Sequence, residues 1–231
     1  MGRPPDVERR QHLLDGVVTY LAEHGLADVS LRPVARELGV SVNGLVHHLG
    51  TREEMVVAAL RRSVEIQEEL QAGWLRRQPT LSMTGLLRRW WRWINASPSN
   101  LALVRLGIEA AALDATASGL PGDVRADQIG VWRANIEQRL ISEGMDRAAA
   151  RVEASILKAT FTGLVVDLLA TGERRRLTRA LDDALTAVDI RVLECIRVSD
   201  VRRPPPRHSD GVKHSDGRRS RRAPGGAGSR P

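Results

Sequence analysis

Apolar residues recur at intervals of three and four along most of the chain, which is the spacing that places them on one face of an α-helix. Alternating runs of β-branched residues, typical of half-buried strands, are nearly absent, and glycine and proline divide the pattern into segments. We therefore predict an all-α protein. The expected helices span 6–24, 31–38, 42–48, 52–77, 82–96, 99–118, 123–143, 146–171 and 177–198.

Several of the predicted helix ends carry their own signals. Gly39 follows the second helix, at a position where glycine commonly ends one. Ser30, Ser41 and Thr51 stand just before the second, third and fourth helices, where a side-chain oxygen can accept a hydrogen bond from a free backbone N–H. Thr51 is followed three residues later by Glu54, which is the spacing of a capping box.

The second and third predicted helices are short and are joined by a tight turn. Val34, Ala35 and Leu38 give the first of them one apolar face, and the small side chain of Ala35 allows the next helix to cross closely. Gly39 supplies backbone freedom at the turn, and Leu45 fills the space between the two helices. This is the packing of a helix-turn-helix, in which the second helix enters the DNA major groove.

A longer string around this motif is more specific. Residues 35–41 are Ala-Arg-Glu-Leu-Gly-Val-Ser, and residues 47–55 are His-His-Leu-Gly-Thr-Arg-Glu-Glu-Met. Together with the preceding helix, they resemble the N-terminal domain of the TetR family of transcriptional regulators. The resemblance implies a nine-helix architecture, with a three-helix DNA-binding head over 1–51 and a helical effector-binding and dimerisation body over 52–199.

The resemblance and side-chain chemistry together predict the DNA contacts. Four residues of the third helix would lie at or near base edges: Val42, Asn43, Gly44 and His47. Only Asn43 among them has the donor–acceptor pair that binds adenine at two positions, and a plain surface role is its alternative. Phosphate contacts would come from Ser30, Arg32, Ser41, His48, Thr51 and Arg52. Arg52 stands in the first turn of its helix, where free N–H groups and the guanidinium would hold a phosphate together.

Two residues depart from the family's usual pattern. The family usually has tyrosine where this chain has Val46, and phenylalanine where it has Leu49. Val46 cannot donate a hydrogen bond, so we expect one customary backbone contact to be missing, whereas Leu49 still fills the core. The N-terminal arginines Arg3, Arg9 and Arg10 would form either an arm in the minor groove or a frayed, solvated end.

The last helix carries an apolar stripe with heptad-like spacing. Its members are Leu181, Leu185, Val188, Val192 and Cys195. The helix before it offers residues whose small members allow close approach, among them Ile156 and Gly163. The resemblance implies dimerisation through these two helices, and the alternative is that the stripes form only the core of one chain. We expect Cys195 to be a small buried hydrophobe rather than a redox sensor.

Tryptophan is unusually frequent, with five Trp beside one Phe and one Tyr. Trp90, Trp91 and Trp93 cluster in the fifth helix, and adjacent residues cannot face the same way, so at least one should be partly exposed, line a cavity or meet a partner. The resemblance places an effector pocket in this region. The predicted effector-binding residues are Trp90, Trp93, Arg105, Glu109, Trp132, Phe161 and Asp167. The alternatives are tryptophans that only fill the core and a solvated or capping role for Glu109 and Asp167.

The net charge of +7 suggests an acidic partner, but it is unevenly placed along the 231 residues. Six basic and eight acidic residues give 1–55 a charge of −2, whereas nine basic and three acidic residues give 200–231 a charge of +6. That last segment is rich in glycine and proline and has few large aliphatic side chains, so we predict that it is disordered. Its charge supports an alternative function, a nonspecific DNA-binding or interaction protein driven by the basic tail.

Other features exclude several classes of protein. A single cysteine excludes an intramolecular disulfide and a cysteine-based zinc site. We find no catalytic motif, and we predict no cofactor, no metal site and no enzymatic activity. The N-terminus lacks a secretory signal and no apolar run is long enough for a membrane span, so we expect a cytoplasmic protein. The predicted function is a dimeric repressor, released from a palindromic operator by a small apolar or aromatic effector.

Overall fold

The computed structural model describes residues 7–113 and 132–201, with side chains for 7–112 and 132–197. Over these ranges the chain forms nine helices and no strand. They are α1 (Val7–His24), α2 (Leu31–Glu37), α3 (Val42–Leu49), α4 (Arg52–Arg77), α5 (Met83–Ala96), α6 (Pro98–Leu113), α7 (Trp132–Ser142), α8 (Arg147–Thr171) and α9 (Arg174–Val201). The predicted all-α fold and the order of its helices are confirmed.

The predicted ends that fall within the described ranges differ from the observed ones by at most three residues. The largest differences are in α9, which begins at Arg174 and continues to Val201. The predicted end of the sixth helix and the start of the seventh lie outside the described residues. The same holds for the predicted disordered tail beyond residue 201.

Side-chain caps hold the starts of α3 and α4 as predicted. The Oγ of Ser41 accepts a hydrogen bond from the N–H of Gly44 at 3.0 Å. At α4, the Oγ1 of Thr51 accepts from the N–H of Glu54 at 3.2 Å, and the Glu54 carboxylate accepts from the N–H of Thr51 at 2.7 Å. Ser30 occupies the N-cap position of α2, but its side chain makes no capping hydrogen bond. The capping box defines the corner between α3 and α4.

The first three helices pack around an N-terminal core. Leu45 and Leu49 of α3 are buried against Val34 and Ala35 of α2 and against the apolar face of α1. The expected role of Leu49 as a core residue is therefore confirmed. Because α3 is short, these two buried leucines fix its orientation and leave the opposite face toward solvent.

The remaining helices form a C-terminal core, built from α5, α7, α8 and α9 with the end of α4. Both Trp90 and Trp91 are buried in it, on different sides of α5. Trp91 packs edge to face on Phe161 of α8, and its Nε1 donates to the Oγ1 of Thr178 of α9 at 2.8 Å. Trp93 is partly exposed, as expected for at least one member of the cluster. Trp91 thus joins α5 to α8 and α9.

Two helices take part in both cores. Buried residues near the start of α4 belong to the N-terminal core, and Trp74 near its end belongs to the C-terminal core. One face of α6 contributes Leu103, Leu106 and Ala110 to the N-terminal core, and another contributes Leu101, Val104 and Ile108 to the C-terminal one. The N-terminal core therefore extends beyond residue 51, and the predicted division of the chain at that point stays a prediction.

Candidate functional site

The turn between α2 and α3 positions the candidate DNA-contacting helix. Gly39 has a φ of +64°, in the left-handed region that favours glycine. The N–H of Val40 then donates to the carbonyl of Ala35 at 2.9 Å, which closes the end of α2. With Leu45 fully buried beneath it, α3 lies across α2 in the arrangement predicted from the sequence.

The outer face of α3 carries the residues predicted to meet base edges. Asn43 and His47 are exposed and four positions apart, so they lie on the same face, and Val42 and Gly44 are half-buried beside them. Val46, an apolar side chain on the same helix, is 40% exposed. The structure therefore brings the predicted base-reading residues together on one accessible surface.

The predicted phosphate-contacting residues flank that surface. Exposed members are Ser30, Arg32, Ser41, Thr51 and Arg52, and His48 is half-buried. The Nε of Arg52 donates to the carbonyl of Val29, and its Nη1 lies 3.2 Å from the Glu53 carboxylate. The capping box also engages the N–H groups of Thr51 and Glu54. A phosphate at the start of α4 would therefore have to compete with bonds inside the chain, of which the sequence predicted the capping box but not the two bonds of Arg52.

The C-terminal end of α3 is tied to α1. The Nε of Arg10 donates to the carbonyl of His48 at 3.2 Å, so Arg10 belongs to the ordered helix rather than to a free arm. Arg3 lies outside the described residues. The rings of His47 and His48 meet edge to face with centroids 5.1 Å apart. No group of three or more potential metal-ligating side chains occurs within residues 7–112 and 132–197.

A second candidate site is a cavity of about 220 Å³ lined by residues of α4, α5, α6, α7 and α8. Its walls are mainly apolar and aromatic, as in many small-molecule sites. The residues that line it are Val64, Gln67, Glu68, Gln71, Trp90, Val104, Gly107, Ile108, Ala111, Trp132, Asn135, Lys158, Phe161, Thr162 and Val165.

Three of the predicted effector-binding residues line this cavity: Trp90, Trp132 and Phe161. The Trp132 and Phe161 rings meet edge to face, with centroids 5.3 Å apart, and form a continuous aromatic wall. Trp93 is not on the wall. It stacks behind Trp90 with a centroid separation of 5.0 Å and supports that ring from the other side.

The structure does not bring the other three predicted effector residues to the cavity. Arg105 and Glu109 face the opposite way from the cavity-lining side of α6. Glu109 accepts a hydrogen bond from the N–H of Leu26 at 2.9 Å, and Arg105 donates to the carbonyl of Ala22 at 2.7 Å. Asp167 pairs with Arg176 at 2.9 Å where α8 passes into α9. Glu109 and Asp167 thus take the capping and surface roles that were their alternatives.

Several polar residues of the cavity were not predicted. Gln67 and Gln71 line it from α4, and Lys158 and Thr162 line it from α8. Burial lowers the pKa of the Lys158 ammonium, and the nearby positive charge of Arg133 lowers it further. A signal for Lys158 was present in the sequence, since the chain contains only two lysines among its 35 Lys and Arg residues.

The predicted dimerisation residues fall into two groups. Leu181, Leu185 and Val188 are buried in the C-terminal core of the single chain, and Val192 and Cys195 are partly buried against it. Burial within the single chain removes Leu181, Leu185 and Val188 from the predicted seam of α9, whereas Val192 and Cys195 stay predicted members of it. Ile156 and Gly163 of α8, in contrast, are exposed.

An apolar surface lies next to that buried stripe. Its members, which we call the α8–α9 face, are Val152, Ile156, Val166, Leu169, Ile190, Leu193 and Ile196, all exposed. The Glu153 carboxylate, itself buried, accepts two hydrogen bonds of 2.7 Å from Arg191 and fixes how α8 and α9 pair. Among the described residues, α8 is also long and apolar enough to cross a membrane. A single helix of this kind is weak evidence for a membrane protein, because core helices share these properties.

The sequence matches no family model and no curated protein. Among solved structures, a transcriptional regulator from Rhodococcus sp. RHA1 is 24% identical, with a TM-score of 0.60, over 77% of this chain and 94% of its own. A protein described as a TetR-family transcriptional regulator from Rhodococcus sp. is 21% identical, with a TM-score of 0.65, over 80% and 98%. A regulator from Saccharomonospora viridis in complex with choline is 19% identical, with a TM-score of 0.61, over 77% and 95%. The chain therefore has the fold of TetR-type regulators.

Proposed function

We propose that this chain is a ligand-responsive, dimeric DNA-binding transcriptional regulator of the TetR type. The observation that carries the proposal is the placement of α6. This helix lines the aromatic cavity through Val104 and Ile108, and its other side bonds to the end of α1 through Arg105 and Glu109. The same helix thus contacts a ligand-sized cavity and the bundle that carries the exposed face of α3.

DNA binding is assigned to α3. Its exposed Asn43 and His47 would reach base edges in the major groove, with Val42 and Gly44 close to the groove floor. Residues of the flanking segments would hold the phosphates, among them Ser30, Arg32 and Ser41. Two such heads are needed to read a palindromic operator, because one helix-turn-helix contacts one half-site.

We assign the dimer contact to the α8–α9 face. Seven large apolar side chains are exposed there in the single chain, and a soluble chain rarely leaves such a patch uncovered. A two-fold contact buries the same patch on both copies, which gives the symmetry that a palindromic site requires. Contact through Ile156 and Gly163 retains part of the predicted interface, and Ile190 and Leu193 take the place of the buried leucines.

The cavity is assigned to the effector. A ligand that binds more tightly to one position of α6 shifts the equilibrium toward that position, by the difference of its two affinities. Because Arg105 and Glu109 join α6 to the end of α1, a shift of α6 changes the position of the head. We propose that this movement changes the spacing of the two α3 helices so that it no longer matches the operator. The effector thereby releases a repressor from its DNA.

This function is not enzymatic, and such a regulator works in the cytoplasm, where the DNA is. The related regulator from Saccharomonospora viridis is described with choline bound, which supports a small-molecule effector for this fold. The apolar and aromatic wall of the cavity favours a small, largely apolar or aromatic effector here.

An electrophoretic mobility assay tests the proposal. The full chain is mixed with the DNA upstream of its own gene, with a shuffled duplex of equal length as competitor. We expect retardation of the upstream DNA at a concentration at which the shuffled duplex is not retarded. Equal retardation of both duplexes, or of neither, would overturn the proposal.

A further inference from the structure

A single lysine lines the aromatic cavity. Lys158 lies on α8, and the chain's other lysine, Lys213, lies outside the described residues. All remaining basic residues of the 35 are arginine. An ammonium on a flexible stem is a compact point charge, whereas a guanidinium is a planar fork that pairs readily with carboxylates of the protein itself.

The surroundings of Lys158 place its charge beside an aromatic surface. Thr162 follows one turn later on the same face of α8, and Phe161 and Val165 line the cavity from the same helix. Trp132 meets Phe161 edge to face on this wall. A ligand in the cavity would therefore meet ring surface, one cation and one hydroxyl.

No described acidic side chain neutralises Lys158. Glu137 is already paired with Arg133, at 2.7 Å. Glu68 also lines the cavity, but it lies on the exposed side of α4, where water screens its charge. Burial, and then the positive charge of Arg133, lower the pKa of Lys158, so the cation is held where its charge is disfavoured. A partly buried, unpaired charge is unfavourable until an opposite charge arrives.

We propose that the cavity takes an aromatic carboxylate, with its ring against Trp132 and Phe161 and its carboxylate paired with Lys158. This inference rests on the proposed function only in taking the cavity as the effector site. The size is suitable, because a cavity of roughly 150 Å³ holds a benzene ring, and this one measures about 220 Å³.

Three probes of one shape and different charge test the ligand class. They are 2-naphthoate, the neutral 2-naphthalenemethanol and the cationic 2-naphthylmethylammonium, each titrated into the full chain by calorimetry. We expect the carboxylate to bind at least about tenfold more tightly than the alcohol, the worth of one charge-assisted hydrogen bond. The ammonium should bind most weakly. Equal binding of acid and alcohol, strongest binding of the ammonium, or no binding of any probe would overturn the proposal.

Substitutions locate the charge that is responsible. Lys158→Met should abolish the preference for acid over alcohol, and Lys158→Arg should retain it. Lys213→Met is the matched control and should leave all three affinities unchanged. Circular dichroism checks that each variant is folded, and Lys158→Gln replaces Lys158→Met if the latter does not fold. A preference for the acid that survives the loss of the charge would contradict the assignment.

The outcome can be separated from that of the proposed function. A chain that binds 2-naphthoate through Lys158 but retards no DNA would keep this inference and overturn the regulator. A chain that retards its upstream DNA but does not distinguish acid from alcohol would do the reverse.

Discussion

Glu109, in the middle of α6, accepts a hydrogen bond of 2.9 Å from the backbone N–H of Leu26, which lies 83 positions earlier in the chain. Gly25 precedes that amide with a φ of +83°, and α1 ends just before it. Arg105, one turn earlier on α6, donates to the carbonyls of Ala22 and Glu23. The carboxylate and the guanidinium of α6 thus bind backbone amide and carbonyl groups at the end of α1.

The first prediction concerns Glu109→Ala. The substitution leaves a partly buried N–H without its acceptor, which typically destabilises a protein by about 1–3 kcal/mol. It also removes one of the bonds through which we propose that α6 moves the head. We therefore expect a lower urea midpoint and, at a ligand concentration that releases DNA from the native chain, weaker release.

Glu109→Gln is the matched control, because its amide oxygen still accepts the hydrogen bond. It should recover most of the stability and most of the ligand response. If the alanine variant releases DNA as readily as the native chain does, the proposed connection through α6 is wrong.

The second prediction concerns Asn43, the exposed amide on α3. Asn43→Ala removes a base contact whose discrimination is worth about 1–3 kcal/mol. We expect operator affinity to fall about tenfold or more, while binding to a shuffled duplex stays nearly the same. Gln78→Ala, which removes an exposed amide just after α4, should leave DNA binding intact. Equal losses on both duplexes would identify Asn43 as a phosphate contact instead.

The sequence predicts most of the fold because helix ends and apolar faces are local properties. Ser41 and Thr51 cap their helices through neighbours three residues away, and Leu45 and Leu49 follow the helical period. The sequence does not show which face of α9 is covered, because that depends on how other helices pack against it. The regular stripe that includes Leu185 turns inward because α8 and α5 pack on it, and Ile190, on the other side of α9, is left exposed.

The candidate sites follow the same division. The exposed face of α3 was predictable from a contiguous string of residues. Only the aromatic residues of the cavity were predicted. Large rings such as Trp132 and Phe161 stand out in the sequence, whereas most polar residues of the cavity do not. Arg105 and Glu109 are the two charged residues of α6, and their direction depends on where α1 ends, 83 residues away in the case of Glu109.

The third prediction tests the α8–α9 face. Ile190 is 53% exposed, so replacing it with glutamate should leave the fold of the single chain intact. In a dimer the same charge would be buried in an apolar contact, which is strongly unfavourable. We expect sedimentation analysis to show a shift from dimer toward monomer, with a loss of operator affinity. Val7→Glu adds the same charge at a position 71% exposed and should leave the dimer unchanged. A dimer that tolerates Ile190→Glu would rule out this face.

The fourth prediction concerns Glu143, whose carboxylate accepts a hydrogen bond of 2.6 Å from the N–H of Met83. Burial raises the pKa of Glu143 above its ordinary value of 4.5, although that hydrogen bond and the charge of Arg139 oppose the rise. The folded state then holds this proton more tightly than the unfolded state does. The group's contribution to stability is therefore largest at low pH and is lost as the pH rises from about 4.5 through the raised pKa.

Glu143→Gln keeps the acceptor and removes the titration. We expect the variant to gain stability relative to the native chain as the pH rises from 4.5 to neutral, measured as the difference between their free energies of unfolding in urea. Glu194→Gln, at an exposed position of α9, controls for the loss of one negative charge. A stability difference that does not change with pH would show that the folded and unfolded states bind this proton equally.

The last prediction concerns the basic tail, which offers the alternative route to DNA. Deleting residues 202–231 removes nine basic and two acidic residues, whereas residues 1–55 carry a net charge of −2. Nonspecific affinity for DNA depends on the number of phosphates neutralised, and the slope of log affinity against log salt is about −0.9 for each. We expect the truncated chain to bind the shuffled duplex more weakly and with a shallower salt slope. Its preference for the operator should persist, because Asn43 and the rest of α3 are untouched. Truncation that abolishes all DNA binding would make the tail, rather than α3, the main binding element.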